Sequence, residues 1–257
     1  MIKKKILISG AGGYLGSNIC YLFSKLNYDL ICIDIDKKKL NILKRKIHKF
    51  KNKKYYYVVD ISNEEQVINV YKDLKKQKCV IDVIINNAAN NPSVIKTKKI
   101  KLMNIKNWKD DLDVGLMGAY ILTKTFVSNL VKNNGGSIIN IGSDLSILSP
   151  NHEIYKNGNK NFLKPISYSI IKHGLVGFNK YFATLYANKK IISNMISPGP
   201  IDNNIPPYLR KKLIANTPMK KLCSVEEIFK TILFFCDTKN RHITGQNIII
   251  DGGKSLI

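Results

Sequence analysis

The sequence predicts an α/β fold, a single domain over residues 1–257 on a doubly wound parallel sheet of about seven strands with helices on both faces. Three observations lead there. Short apolar runs rich in Ile and Val alternate with amphipathic helical stretches along nearly the whole chain. A glycine-rich turn, Ser9-Gly10-Ala11-Gly12-Gly13-Tyr14-Leu15-Gly16, directly follows the first apolar run. No linker divides the chain, and right-handed crossovers place the successive strands of such a pattern side by side.

Lys5 to Ser9 reads as the first buried strand, and Tyr14 to Leu26, with Leu15, Ile19, Leu22, Phe23 and Leu26 at helical spacing, as the first helix. Asp29 to Asp34 is a second strand, Asp36 to Phe50 a helix and Tyr55 to Asp60 a third strand. Ser62 followed by Asn63-Glu64-Glu65 has the form of a capping box opening a helix to about Lys76. Val80 to Asn86 gives a fourth strand, Ile105 to Lys132 one long helix, and Ser137 to Gly142 a fifth strand. The polar, Asn/Lys-rich stretch near 145–165 reads as an inserted loop, because the alternation resumes after it. A helix from Ile166 to Ala187, a strand from Ile191 to Ile196, a loop from Ser197, a helix from about Val225 to Cys236 and a strand from Asn247 to Ile250 complete the chain.

Composition excludes several function classes. The net charge is +24, yet all but three of the 42 basic residues are Lys, the exceptions being Arg45, Arg210 and Arg241. Nucleic-acid recognition favours Arg and interleaved aromatics. Here the lysines are scattered, as in Lys3-Lys4-Lys5, Lys37-Lys38-Lys39 and Lys98-Lys99, so no nucleic-acid partner is expected. The positive field would still steer anionic ligands. Cys20, Cys32, Cys79, Cys223 and Cys236 are odd in number and lack Cys-x-x-Cys spacing, which predicts free buried thiols. His48, His152, His173 and His242 form no ligand pattern, and no metal is expected. Ile6-Leu7-Ile8 is too short for a signal sequence, and no stretch reads as a membrane span, so the expectation is a soluble cytoplasmic protein.

Within a doubly wound sheet, ligands bind at the carboxyl ends of the strands, where the candidate residues fall. Gly10, Gly13 and Gly16 join the first strand to the first helix and permit close approach of backbone to a pyrophosphate, whose charge the helix N-terminus favours. Asp34, ending the second strand, stands where a carboxylate meets the adenosine ribose hydroxyls and repels a 2′-phosphate. That favours NAD over NADP, although Lys37 to Lys39 offer cations for that phosphate and leave NADP open. Asp60 is a candidate acceptor for the adenine amino group or simply the start of a turn. In Asn86-Asn87-Ala88-Ala89 small residues would let a cofactor lie against the backbone while the Asn side chains pin neighbouring strands. Tyr168 and Lys172 lie four apart on one helix face, where an ammonium can lower the phenol's pKa and make it a usable acid or base.

Taken together the chain resembles the short-chain dehydrogenase/reductase family over essentially its full length. The matching elements are Gly10-x-x-Gly13-x-x-Gly16, Asp60-Ile61, Asn86-Asn87-Ala88-Ala89, Ile141-Gly142-Ser143, Tyr168-x-x-x-Lys172, Ser197-Pro198-Gly199-Pro200-Ile201 and Thr244-Gly245-Gln246 with Asp251-Gly252-Gly253. The resemblance implies a Rossmann-type NAD(P)-binding domain with Tyr168 exchanging the proton with the substrate oxygen. Lys172 would lower the Tyr168 pKa and bind the nicotinamide ribose, and Ser143 would hydrogen-bond the substrate oxygen. Tyr14, Leu15, Ile61, Asn87, Ala88, Pro198, Gly199 and Ile201 would contact the cofactor, and residues near 199–218 would form a substrate lid. It also implies a homodimer or homotetramer, for which Phe178, Tyr181, Phe182, Phe234 and Phe235 are either interface or core.

Two positions depart from the family pattern. Gly115 stands where an Asn commonly helps to hold a proton-relay water, and Tyr14 stands where many members have glycine, with Gly13 as its expected compensation. The stretch from Ser143 to Tyr168, with Asp144, Pro150 and Tyr155, resembles the oxidoreductase branch linked to flagellin glycosylation and nonulosonic-acid sugars. That resemblance favours a small-molecule substrate of sugar, sugar-phosphate or nucleotide-sugar type, for which Arg210, Lys211 and Lys212 make physical sense; the alternative is a variable surface loop with solvated charges. Competing functions are a 3-oxoacyl-thioester reductase, a catalytically silent dinucleotide-binding protein motivated by Gly115, and a basic nucleic-acid-binding protein.

Overall fold

A computed structural model describes residues 4–90, 95–97, 104–157, 161–237 and 242–257. Lys3, Lys98, Lys99 and Arg241 lie outside the described residues. Strand β1 (Lys5–Ser9) pairs in parallel with β2 (Asp29–Asp34) on one side and β4 (Val83–Asn86) on the other. Outward from these lie β3 (Lys54–Val58) beside β2, and β6 (Gly136–Ile141), β8 (Ile191–Pro198) and β9 (Asn247–Ile250) beyond β4. The seven-stranded order is β3-β2-β1-β4-β6-β8-β9, so the order reverses between β1 and β4, where such sheets open a ligand crevice.

Alternate residues of each strand serve opposite faces. Ile6, Ile8, Leu30, Cys32, Val83 and Ile85 join one buried cluster with side chains from α1 (Tyr14–Lys25), α2 (Lys37–Ile47) and α8 (Val225–Cys236). Leu7, Ile31, Ile33 and Ile84 join a second with α3 (Glu64–Lys76), α5 (Gly118–Lys132) and α6 (Ile166–Leu185). Each fully buried side chain of this kind contributes ~1.5–3 kcal/mol, which is why the strands read as continuous apolar runs. Phe182 and Phe235 belong to these clusters, Phe178 is partly buried, and Tyr181 and Phe234 are exposed.

Four features differ from the sequence reading. Asn63, not Ser62, caps α3 and accepts the Gln66 N–H at 3.0 Å, because the Asp60 carboxylate captures Ser62 through both its N–H and hydroxyl. The long helix is α4 (Ile105–Leu112) and α5 joined through a π-helical turn at Asp113–Met117, centred on Gly115. A two-stranded antiparallel ribbon, β5 (Ile95–Thr97) with β7 (Asn161–Leu163), takes up part of the segment near 145–165, and α7 (Pro207–Ala215) forms within residues 199–218. The helical run Ile105–Lys132 is also long and apolar enough to cross a bilayer by length and composition, with mean hydropathy 1.3, contrary to the expectation of no such stretch. Its Ile121, Leu122, Phe126, Val127 and Leu130 are instead buried against the sheet.

Candidate active site

The turn after β1 and the turn after β4 are locked together at the crevice. Gly10 has φ +63°, and a Cβ there would stand 2.8 Å from Ala88 Cα; a Cβ at Gly16 would stand 2.1 Å from the Gly10 carbonyl oxygen. Asn87 Nδ2 donates to the Ser9 and Gly10 carbonyls at 3.0 and 3.1 Å, and the Asn87 and Ala88 N–H groups donate to Ser9 Oγ. Asn86 pins the neighbouring strand, donating to Asn140 Oδ1 at 2.8 Å and to Thr123 Oγ1 at 3.0 Å.

Helix α1 opens here without a side-chain cap and without an acidic residue in its first turn, which leaves its N-terminus suited to a pyrophosphate. Gly13 has an ordinary φ of −67°, so it contributes an absent side chain rather than an unusual backbone. Tyr14 is exposed and its phenol donates to the Asp202 carbonyl at 3.0 Å, while Leu15 packs partly against the core. The Asp34 carboxylate accepts the Gly12 N–H at 2.8 Å and the Asp36 N–H at 2.9 Å. Lys39 lies close by, since a Cβ on Gly12 would come within 2.7 Å of Lys39 Cβ. Pro198 and Gly199 are buried at the end of β8, and Ile201 bridges to Cys223. This uncapped, side-chain-free cradle with a carboxylate beyond it fits a dinucleotide. Asp60 Oδ1 accepts the Ser62 N–H and hydroxyl, as its alternative role at the start of a turn requires, and the Ile61 side chain is buried against Gly118.

Ser143, Tyr168 and Lys172 converge at the end of β6. Lys172 is buried one helical turn from Tyr168, its Nζ 5.6 Å from the phenol ring centroid and donating to the Ile141 carbonyl at 2.9 Å. Burial, then the neighbouring Lys164 ammonium, pushes the Lys172 pKa down to about 8. The Tyr168 phenol stands above its ordinary value, raised mainly by burial and further by Asp144, with the Ser143 side chain acting against them. The expected lowering of Tyr168 by Lys172 is therefore not the balance in this structure, because the ammonium is directed to the Ile141 carbonyl and burial dominates the phenol.

Sequence reasoning missed part of the surroundings. Ser143 Oγ donates to Asp144 Oδ1 at 2.9 Å, and Lys254, just after Asp251-Gly252-Gly253, donates to Asp144 Oδ2 at 2.5 Å. The inserted segment brings Tyr155, whose pKa is raised to about 12 by burial, then by Asp144 and Tyr168, and Lys164, whose Nζ lies 4.0 Å from the Tyr168 ring centroid. Helix α7 packs on the 3-10 turn His152–Tyr155, and Lys212 Nζ donates to the Lys156 carbonyl at 2.6 Å. Arg210 donates through Nε and Nη2 to Asp202 Oδ2 at 3.0 and 2.7 Å. A cleft of about 700 Å³ is lined by Tyr14, Lys46, Arg210 and Lys221 but by none of Ser143, Tyr168 and Lys172. No sequence motif marks Lys164 or Lys254, since both reach the site only through tertiary packing.

At Gly115 the π-turn abuts α6, and a Cβ would stand 2.7 Å from Ile171 Cγ2, next to Lys172 in sequence. The position is filled by helix–helix packing. An amide side chain does not fit there without displacing buried Ile171.

The family model described as Enoyl-(Acyl carrier protein) reductase matches residues 10–255. The chain is 32% identical over 256 residues to the 3-oxoacyl-[acyl-carrier-protein] reductase FabG of Buchnera aphidicola subsp. Baizongia pistaciae, covering 98% of this chain and 97% of that one. Its fold matches a short chain dehydrogenase from Leptospira borgpetersenii with bound NAD+ at TM-score 0.84 and 24% identity, over 98% of this chain and 93% of that one. It also matches a gluconate 5-dehydrogenase from Burkholderia cenocepacia, solved with NADP and tartrate, at TM-score 0.85 and 19% identity, over 99% and 96%. With the sheet order, the glycine cradle and the Ser143, Tyr168 and Lys172 cluster in place, the chain belongs to the short-chain dehydrogenase/reductase family, NAD(P)-dependent oxidoreductases of CH–OH and keto groups.

Proposed function

We propose that the protein interconverts a secondary alcohol and a ketone on a polyhydroxylated sugar derivative in the cytoplasm, with NAD preferred over NADP. The observation that carries the substrate side is the polar setting of Tyr168: Asp144 and Tyr155 lie close enough to act on the phenol, and Lys254 bonds Asp144, where an acyl chain would call for apolar groups. The cofactor preference is supported by Asp34, whose carboxylate stands at the ribose end of the cradle.

When bound, the nicotinamide donates or accepts the hydride. In the oxidative direction Tyr168 takes the proton of the substrate hydroxyl as general base, and in reduction it returns it. The Ser143 hydroxyl turns from Asp144 to the substrate oxygen and stabilises its developing charge. Lys172, anchored on the Ile141 carbonyl, holds the nicotinamide ribose hydroxyls and orients the cofactor. Gly10, Gly13, Tyr14, Leu15 and Gly16 hold the pyrophosphate end, with Asn87, Ala88, Pro198, Gly199 and Ile201 along the remainder. Exposed Tyr120, Tyr181 and Leu185 support assembly into a homodimer or homotetramer through α5 and α6.

The second reading, reduction of 3-oxoacyl thioesters, is favoured by the relationship to the Buchnera FabG protein. Nicotinamide absorbance separates the two when NADH and NADPH are offered with keto sugars and with 3-oxoacyl thioesters. Tyr168→Phe should lower turnover by roughly 10²–10⁴-fold while leaving NADH binding intact. Comparable turnover in the variant would sink the mechanism, and turnover of thioesters alone would replace the substrate reading.

A further inference from the structure

Lys164 follows β7 and precedes Pro165, the residue from which α6 starts, so the inserted segment delivers it to the mouth of the site. Its Nζ lies 4.0 Å from the Tyr168 ring centroid, while Lys172 Nζ lies 5.6 Å from the same centroid. The carboxylate that acts on Lys164 is Asp144, and Asp144 is already held by Lys254 and by the Ser143 hydroxyl. Two ammonium groups, Lys164 and Lys254, therefore share the Asp144 carboxylate, while Lys172, the second ammonium beside the phenol ring, has only the Ile141 carbonyl. Burial lowers the Lys164 pKa, and Lys164 in turn depresses Lys172, as expected for cations short of counter-charge. Cations held in this way disfavour folding unless a ligand compensates them, so their clustering at a cleft marks a functional site.

We propose that Lys164 is a substrate-binding residue that pairs with an anionic oxygen group, carboxylate or phosphate, carried close to the reacting carbon of the substrate. This rests on the sugar-derivative reading for its site. Lys164 stands beside the ring that exchanges the proton, so the anion it reaches is near the reacting centre and not at the far end of a long substrate. A 3-oxoacyl thioester is neutral at its reacting end and would leave Lys164 with only the Tyr168 ring and its share of Asp144.

The test is binding of paired probes to the NADH complex, read by NADH fluorescence at constant ionic strength. Gluconate is compared with sorbitol for the carboxylate arm, and ribose 5-phosphate with ribose for the phosphate arm. Wild type should bind at least one anion about ten-fold more tightly than its neutral partner, about 1.4 kcal/mol. Lys164→Met should bring that ratio to within two-fold with NADH affinity unchanged, and Lys164→Arg should retain it. No preference in wild type, or preference retained in Lys164→Met, overturns the proposal. A changed pH profile without a changed ratio would assign Lys164 to tuning Tyr168 instead.

Thermal unfolding gives a second reading. Lys164→Met should melt at or above the wild-type temperature, because it removes a charge short of a partner, and the preferred anion should stabilise wild type but not the variant. A lower melting temperature for the variant together with stabilisation by the anion would make Lys164 structural and overturn the proposal. Because binding is measured, Tyr168→Phe should keep the anion preference. Loss of the preference in Lys164→Met alone supports this inference even where the proposed reaction fails.

Discussion

Lys254 Nζ sits 2.5 Å from one oxygen of the Asp144 carboxylate, whose other oxygen takes the Ser143 hydroxyl at 2.9 Å. The C-terminal turn thus neutralises the carboxylate that raises the Tyr168 pKa. Lys254→Met should leave Asp144 with Lys164 as its remaining cation and raise Tyr168 further. The base limb of the pH profile for alcohol oxidation should move up by about one unit, with turnover at pH 7 falling about ten-fold and recovering in more alkaline buffer. A uniform loss at every pH would show that Lys254 acts on shape alone.

Lys172 makes stability depend on pH. Its pKa is about 8 in the folded protein against an ordinary 10.5, so between these values the unfolded chain binds more protons and stability rises with pH. Below pH 8 the burial cost is fully present. Lys172→Met removes it, and the difference in unfolding free energy between wild type and variant should change by about 2–3 kcal/mol between pH 7 and pH 10.5. Urea titrations at the two pH values check this, and a constant difference would contradict it.

Gly115→Asn should not restore a relay. The new Cβ meets Ile171 Cγ2 at 2.7 Å inside a packed helix–helix contact, an overpacking that costs about 1–3 kcal/mol. The expected outcome is a lower melting temperature with no gain in turnover. Adding Ile171→Ala should recover part of the lost stability relative to the Ile171→Ala protein.

Asp34→Ser should weaken the NAD preference. It removes an acceptor for the Gly12 and Asp36 N–H groups and the charge that opposes a 2′-phosphate, while Lys39 remains nearby. Catalytic efficiency with NAD should fall about 10–100-fold, with a smaller loss or a gain for NADP. Equal losses with both cofactors would show a purely structural role.

The sequence by itself determined the elements whose signal is local. Ile and Val runs such as Val83 to Asn86 are buried on both sheet faces and read as strands wherever they stand, and the glycine turn from Gly10 to Gly16 announces its conformation through missing side chains. The order of those elements was enough for the parallel sheet, with Ser143 just after β6 and Tyr168 and Lys172 on α6. The cap at Asn63 was misread by one residue because Asp60 competes for Ser62, a choice between two short-range hydrogen-bonding patterns.

Only the tertiary structure decided the balance of charge around Tyr168. Lys254 meets Asp144 across 110 positions of chain, and Lys164 arrives on a ribbon whose two strands are individually too short to show periodicity. Burial, which sets the sign of the Tyr168 and Lys172 shifts, is a property of the packed protein, so a spacing of four residues could place the ammonium near the phenol but could not say which group it would serve. The same holds at Gly115, where the contact with Ile171 exists only once a π-turn and a second helix come together.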